Sequence, residues 1–285
     1  MDVEEHFQVL ALAPYVPRER WESLESRAAQ NVDRLLELLT RHSATATFFT
    51  LGWVAERQPA MVKAMAAAGH EVASHGYDHR RVTELTPPEF RAQVRRSKAI
   101  LEDLTGQPCL GFRAPNYSIV AGLEWALDIL VEEGYRYDSS LFPIRRPGYG
   151  YAGGQRDPHW IDRPAGLLLE VPPATVRWLG VNLPAAGGAY LRLLPPFLVN
   201  AALRDAERRG QPGTFYLHPW EYDADQPRVA VPLLTRVRHY AGLRGMWSRL
   251  ERLLEEFRFV SIAEGLAVAP SFRAVPPGLE QAPQQ

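Results

Sequence analysis

The chain has 285 residues, 46% of them hydrophobic and 23% charged, with 32 Lys and Arg against 33 Asp and Glu for a formal net charge of −1. That balance excludes a disordered chain, a collagen-like fibre and a small disulfide scaffold, and it leaves no basic surplus to make nucleic acid or an anionic membrane the main partner. One cysteine, Cys109, excludes an intrachain disulfide and a cysteine-based zinc site, and reads as a small buried residue. No segment reaches the ~18 uncharged apolar residues of a spanning helix. The start, from Met1 to His6, has neither a basic region nor an apolar run, so a cytoplasmic location is expected.

The first half alternates strand and helix signals. Helix patterns cover residues 20–42, 59–68, 86–105 and 121–134. The third opens on Thr86-Pro87-Pro88-Glu89, a capping box with proline at the first helical position. Short apolar or aromatic runs at 46–51, 70–74, 109–112 and 135–138 read as strands. Helix and strand repeated with short connections predict a mostly parallel sheet with helices outside. In the second half, 167–171, 214–217 and 258–262 read as strands, and 195–209 and 243–257 as helices. Residues 145–182, rich in Gly, Pro and aromatic residues, read as long loops, and the Pro- and Gln-rich end, 270–285, as a disordered tail. At the start, Asp2-Val3-Glu4 looks like the end of a strand. Either that strand is short or the protein starts further upstream.

Parallel α/β sheets carry their sites at the C-terminal ends of strands, so the residues after each run are the candidates. After 71–73 comes Ser74-His75-Gly76-Tyr77-Asp78-His79, two histidines four apart, a spacing that puts both on one face of a helical turn. Asp2 and Glu4 share one side of a strand, His6 returns to that side, and Glu5 points to the other. A carboxylate with two histidines makes a three-ligand site with an open position, the form of a catalytic zinc. After 110–112 comes Arg113-Ala114-Pro115-Asn116-Tyr117; a buried arginine there can hold a carboxylate in a two-pronged contact, and backbone N–H groups near Asn116 can face an oxyanion. After 215–217 comes His218-Pro219-Trp220-Glu221, a histidine suited to general acid work. Asp138, after 135–137, can orient that histidine or the arginine, or cap a turn. Acids, three histidines and an arginine at five strand ends point to a metal-assisted hydrolase.

In this order the residues resemble the five motifs of the polysaccharide deacetylase superfamily, carbohydrate esterase family four. The first motif is the form Asp2-Val3-Glu4-Glu5-His6-Phe7, with one residue inserted between the acids relative to the common Asp-Asp version. His75 to His79, Arg113 to Asn116, the surroundings of Asp138, and Leu217-His218-Pro219 follow. More narrowly, residues 2–7, 112–118 and 216–221, with 137–143 in support, are similar to exosortase-associated deacetylases encoded with exopolysaccharide genes.

The resemblance implies a distorted (β/α) barrel with about seven parallel strands and a loop-rich C-terminal half. It implies one catalytic domain over 1–269, with a family-specific part at 145–269. It implies a divalent metal, Zn²⁺, and removal of N-acetyl groups from amino sugars of a polysaccharide or oligosaccharide, a hydrolysis of carbon–nitrogen bonds other than peptide bonds. Carried over by position, Asp2 matches the general base, Glu4, His75 and His79 the metal ligands, Arg113 the partner of the base, and His218 the general acid. Strand alternation favours Glu4 over Glu5 as the ligand, because base and metal must share a pocket. Asn116 and Asp138 are candidates for oxyanion and orienting roles. Tyr117, Trp220, Trp160 and Trp178 are candidates for stacking on sugar rings or for core packing. Two rival readings stand beside this one: an amidohydrolase of the same superfamily acting on a small amide or on peptidoglycan, and an inactive sugar-binding relative.

Overall fold

The computed structural model describes residues 1–146 and 148–268; the expected disordered tail, 270–285, lies outside the described residues. Strands β1 (Asp2–Val3), β2 (Thr47–Thr50), β3 (Glu71–Ser74), β4 (Gly111–Phe112), β5 (Tyr137–Asp138), β6 (His159–Arg163) and β7 (Gly166–Glu170) form one sheet in the order β1-β2-β3-β4-β5-β7-β6. β1 to β5 and β7 run parallel, and β6 returns antiparallel to β7. A separate hairpin joins β8 (Thr175–Trp178) to β9 (Val181–Pro184). The helices are α1 (Ala28–Arg41), α2 (Gly52–Arg57), α3 (Pro59–Ala67), α4 (Pro87–Thr105), α5 (Trp125–Glu132), α6 (Gly188–Leu193), α7 (Phe197–Arg208), α8 (Leu233–Tyr240), α9 (Leu243–Glu256) and α10 (Ile262–Val268). Among the described residues, no helix is long and apolar enough to cross a membrane.

The four helices expected in the first half form, each trimmed at its ends. α4 shows why. Thr86 N–H donates to Glu89 Oε2 at 2.8 Å, Pro87 opens the helix, and Gly106 ends it at φ +65°. Its buried face, Phe90, Val94, Ser97 and Leu101, repeats at helical spacing and packs on the sheet. The core strands are short because each is buried on both faces and is followed at once by site residues. Between β4 and β5 the sheet needs a glycine: a Cβ on Gly111 would fall 2.1 Å from the Tyr137 ring. Cys109 is buried as expected, and burial pushes its thiol up to about 12.

The seven-stranded, mostly parallel sheet is that of a (β/α) barrel left open. Residues 214–217, expected as a strand, sit at the seam and make only isolated bridges. Thr214 pairs with Pro173 and Tyr216 with Gly187, and Asp2 N–H donates to Leu217 O at 2.9 Å. The second half is more regular than its composition suggests. Within 145–182 the described residues up to 158 are irregular, as expected, but from His159 the chain forms β6 to β8 and the start of β9 rather than loops. β6 was hidden because its edge position tolerates Asp162 and Arg163. β8 and β9 alternate apolar with polar residues (Val176, Trp178, Val181, Leu183) and turn through Leu179 and Gly180, both at positive φ, a hairpin signal that the Gly-, Pro- and aromatic-rich surroundings obscured. Residues 258–261 are irregular rather than a strand, and α10 starts at Ile262. Phe259 O accepts one bond, from Thr45 N–H at 3.3 Å, so the aromatic pattern there reflects packing, not pairing.

The start of α1 depends on Glu5. Its carboxylate accepts from the Arg27 N–H at 2.9 Å, the Ala28 N–H at 3.4 Å and the Ser26 hydroxyl, which satisfies donors that a helix N-terminus leaves free. Glu5→Ala is expected to lower stability by about 1–3 kcal/mol. Urea unfolding reads this directly, and an unchanged midpoint would show that α1 starts without it.

Candidate functional site

β1, β3, β4 and the seam segment bring their C-terminal ends to one cavity of about 260 Å³, lined among others by Asp2, Glu4, His75, His79, Asn116 and His218. The ligating atoms of Glu4, His75 and His79 lie within 4.8 Å of one another, and all three side chains are buried. The two histidines do not share a helical turn. They follow β3 in an irregular loop that bends at Gly76, φ +76°, and at His79 itself, φ +60°. His75 Nδ1 lies 2.8 Å from the Arg113 carbonyl, which can only accept. Nδ1 therefore carries the proton and Nε2 keeps its lone pair free. Burial pushes His75 down to about 4, so the ring is neutral.

Glu4 Oε1 accepts from Trp220 Nε1 at 3.0 Å, while the buried Oε2 faces only His79 Nε2, 2.6 Å away. Burial works to raise the Glu4 pKa, but His79 and His218 outweigh it and hold the group at about 2. One ionised carboxylate with an otherwise orphaned oxygen and a neutral imidazole with a free nitrogen form a donor set that fits a divalent cation of zinc type.

Beside this cluster, Arg113 Nη1 donates to Asp2 Oδ1 at 2.6 Å. The contact is one-pronged, not the expected two-pronged grip. The remaining nitrogens turn to Ser139: Nε to its carbonyl at 3.2 Å and Nη2 to its hydroxyl at 2.8 Å. Burial would raise the Asp2 pKa, but Arg113 and His75 hold it well below the usual carboxylate range, so Asp2 is ionised. His218 Nε2 lies 3.9 Å from Asp2 Oδ2 and 3.7 Å from Glu4 Oε1, while Nδ1 lies 3.1 Å from Glu221 Oε2. Burial alone would lower the His218 pKa; Glu4, Glu221 and Asp2 override it and raise it to about 9.

Glu221 is the site residue that sequence reasoning missed. Its signal was the i, i+3 spacing from His218 across a proline-started turn. Arg192, buried with its Nε 3.5 Å from Glu221 Oε1, carried no signal, because it reaches the site from α6.

Other expected residues fall differently. His6 lies outside the cluster, since β1 ends at Val3 and the alternation stops there. Asp138 reaches neither His218 nor Arg113. It accepts from Ser140 Oγ at 2.5 Å and stands opposite Glu170 in the β5–β7 register, both fully buried, each with one oxygen that has no other partner. Asn116 and Tyr117 line the cavity from a turn held at φ +55° and +52°. Trp220 lines it too, stacked between His218 and His239. Trp160 packs against a satellite core cluster and Trp178 sits exposed at the β8–β9 turn, so neither lines the cavity.

Burial raises Asp138 to about 6, and burial with Asp138 opposite raises Glu170 well above the carboxylate range, so the pair holds a shared proton near neutrality. Stability that depends on this proton is complete at acidic pH and is lost as pH rises through the raised pKa. Glu170→Gln keeps a hydrogen-bond donor there at all pH values. Its unfolding free energy should fall less steeply than that of the parent as pH rises from the ordinary carboxylate range through the raised pKa of the pair. Equal slopes would show that the pair shares no proton.

Residues 23–137 match the polysaccharide deacetylase family, and residues 139–267 match a domain of unknown function (DUF3473). Over 112 residues the chain is 31% identical to a peptidoglycan deacetylase of Helicobacter pylori, a match covering 39% of this chain and 36% of that protein. Over 96 residues it is 34% identical to a peptidoglycan-N-acetylglucosamine deacetylase of Bacillus cereus, covering 33% of this chain and 35% of that protein. The matched region thus spans about a third of the length of these relatives. A Mycobacterium smegmatis protein of known crystal structure, named as a candidate polysaccharide deacetylase, shares the fold over 99% of this chain and 92% of its own, with a TM-score of 0.64 at 19% identity. The similarity to polysaccharide deacetylases thus lies in the first half of the chain, within residues 23–137 by the family match.

Proposed function

We propose that this chain is a metal-dependent hydrolase that removes N-acetyl groups from amino sugars of a polysaccharide, in the exopolysaccharide setting that its resemblance to exosortase-associated deacetylases implies. One observation carries the reading. A Glu4–His75–His79 cluster, an Asp2–Arg113 pair and a His218–Glu221 pair face a single cavity. The deacetylases that the chain resembles act on N-acetylated glycans by their names. In this reading residues 1–269 act as one catalytic unit, because Asp2 and Glu4 at one end meet His218 and Trp220 far along the chain.

Glu4, His75 and His79 would hold the metal, and zinc is the ion this donor set suits best. When bound, the ion supplies Lewis acidity, lowering the pKa of a water and polarising a carbonyl. The chain's own groups do the rest. Asp2, kept ionised by Arg113, accepts the proton of the attacking water at Oδ2, the oxygen that Arg113 leaves free. Backbone N–H groups at the Asn116 turn stabilise the oxyanion. His218, charged through Glu221, gives its proton to the departing amine, so water and amide leave as acetate and free amine. Trp220 forms a wall beside His218 and fixes Glu4 through its indole N–H.

The variants should fail in different ways. Glu4→Gln, His75→Ala and His79→Ala are expected to lose stoichiometric zinc, whereas Glu5→Gln keeps it, and elemental analysis of the purified proteins checks this. Zinc lost from Glu5→Gln but kept by Glu4→Gln would reverse the assignment.

Asp2→Asn and His218→Ala should keep zinc yet release acetate from N-acetylated oligosaccharides about 10²–10⁴-fold more slowly. Near-normal acetate release by either variant removes that residue from the mechanism. A parent protein that binds zinc and releases no acetate would favour the sugar-binding reading.

A further inference from the structure

α8 presents an unusual face. It buries His239 and Tyr240, and turns Leu233, Leu234 and Val237 outward at 65%, 81% and 50% exposure. These three are i, i+3 and i, i+4 neighbours, so they form one apolar stripe on the solvent side. α8 packs against the 3-10 turn Leu10–Leu12. That turn belongs to an uncharged stretch, residues 7–17, which exposes Leu10 and Tyr15. Both elements reach the rim of the site: Leu10 and Arg238 line its cavity.

The sequence through this helix carries charge of one sign. From Gln226 to Leu250 the chain holds five arginines and no Asp or Glu, in a protein with net charge −1. Arg236 and Arg238 lie exposed on α8 itself.

We infer that this face docks on a bilayer surface carrying anionic headgroups, with Leu233, Leu234 and Val237 entering the headgroup–acyl boundary and Arg236 and Arg238 meeting the headgroups. An interfacial helix has this form, a leucine-rich stripe flanked by basic side chains. Arginines near an anionic leaflet add attraction that salt screens. Tyr15, exposed a few residues beyond that turn, has an apolar ring and a polar tip that suit the same boundary. A protein partner is the poorer fit, because leucine and valine are under-represented among interface hot spots. Docking here would set the cavity mouth beside the membrane surface, within reach of a glycan held there. The inference does not depend on the chemistry proposed for the site, since its readout is binding.

The test uses the full chain and vesicles of phosphatidylcholine, alone or mixed with phosphatidylglycerol. The parent protein is expected to sediment with the mixed vesicles, weakly with phosphatidylcholine alone, and less as salt is raised. Leu233→Ser combined with Leu234→Ser, and separately Arg236→Glu, should each lower the partition coefficient by at least about tenfold. Circular dichroism and thermal unfolding confirm that each variant is folded, as expected for exposed positions. Three results would overturn the inference: no sedimentation of the parent with mixed vesicles, undiminished sedimentation of the folded variants, or a parent dimer that the leucine variant converts to monomer without any lipid binding.

Discussion

The buried guanidinium of Arg113 ties three strand ends together. It donates to Asp2 on β1 and to the Ser139 carbonyl and hydroxyl after β5, from its own place after β4. Its backbone carbonyl fixes the proton on His75 after β3. The Phe49 ring covers it, 4.1 Å from the guanidinium carbon. A charge taken out of water is tolerable only when it is paired and its donors are filled. Here that requirement sets geometry. If Asp2 moved away, the cation would be stranded, and if Ser139 moved, two of its donors would be. The same contacts that make the buried charge tolerable therefore aim Asp2 and His75 at one cavity.

The site solves the problem of buried carboxylates in two ways. Asp2 and Glu4 are kept ionised by Arg113 and the site histidines, while burial raises Asp138 and Glu170, opposite each other across β5 and β7, above the usual carboxylate range. The second arrangement supports the first. Asp138 binds Ser140, whose hydroxyl also accepts from the Ala114 N–H at 2.8 Å, and Glu170 accepts from the Leu141 N–H at 3.0 Å. The turn that carries Ser139 to Arg113 is thus anchored on both sides by groups that stay near neutral. An ionised carboxylate there would compete with Asp2 for Arg113.

Legibility in the sequence followed locality. α4 could be read because its cap, periodicity and stop lie within about twenty residues, and the strand ends could be read because each candidate follows its own apolar run. Glu4 faces the cavity and Glu5 faces α1, the opposite directions that alternation predicts, although β1 itself ends at Val3. The failures are non-local or depend on backbone. A left-handed His79 cannot be read from spacing, so a loop was taken for a helical turn. The role of Asp138 depends on Glu170, a partner set by strand register across 31 intervening positions. β6 looked polar because it is an edge, and α8 kept its leucines outside, which inverts the pattern that identifies a helix.

The matched regions divide the site unevenly. Residues 23–137, which resemble the deacetylase family, contribute His75, His79 and Arg113. Asp2 and Glu4 precede that region, and His218, Trp220 and Glu221 come from the half that matches a domain of unknown function. The contacts cross these boundaries in both directions, since Trp220 fixes Glu4 and the 214–217 segment pairs with Asp2. Neither region alone carries all of Asp2, Glu4, His75, His79, Arg113 and His218, so the cavity is built by both. The C-terminal half supplies one wall of the cavity, the proposed proton donor, and through α8 the apolar face beside the mouth.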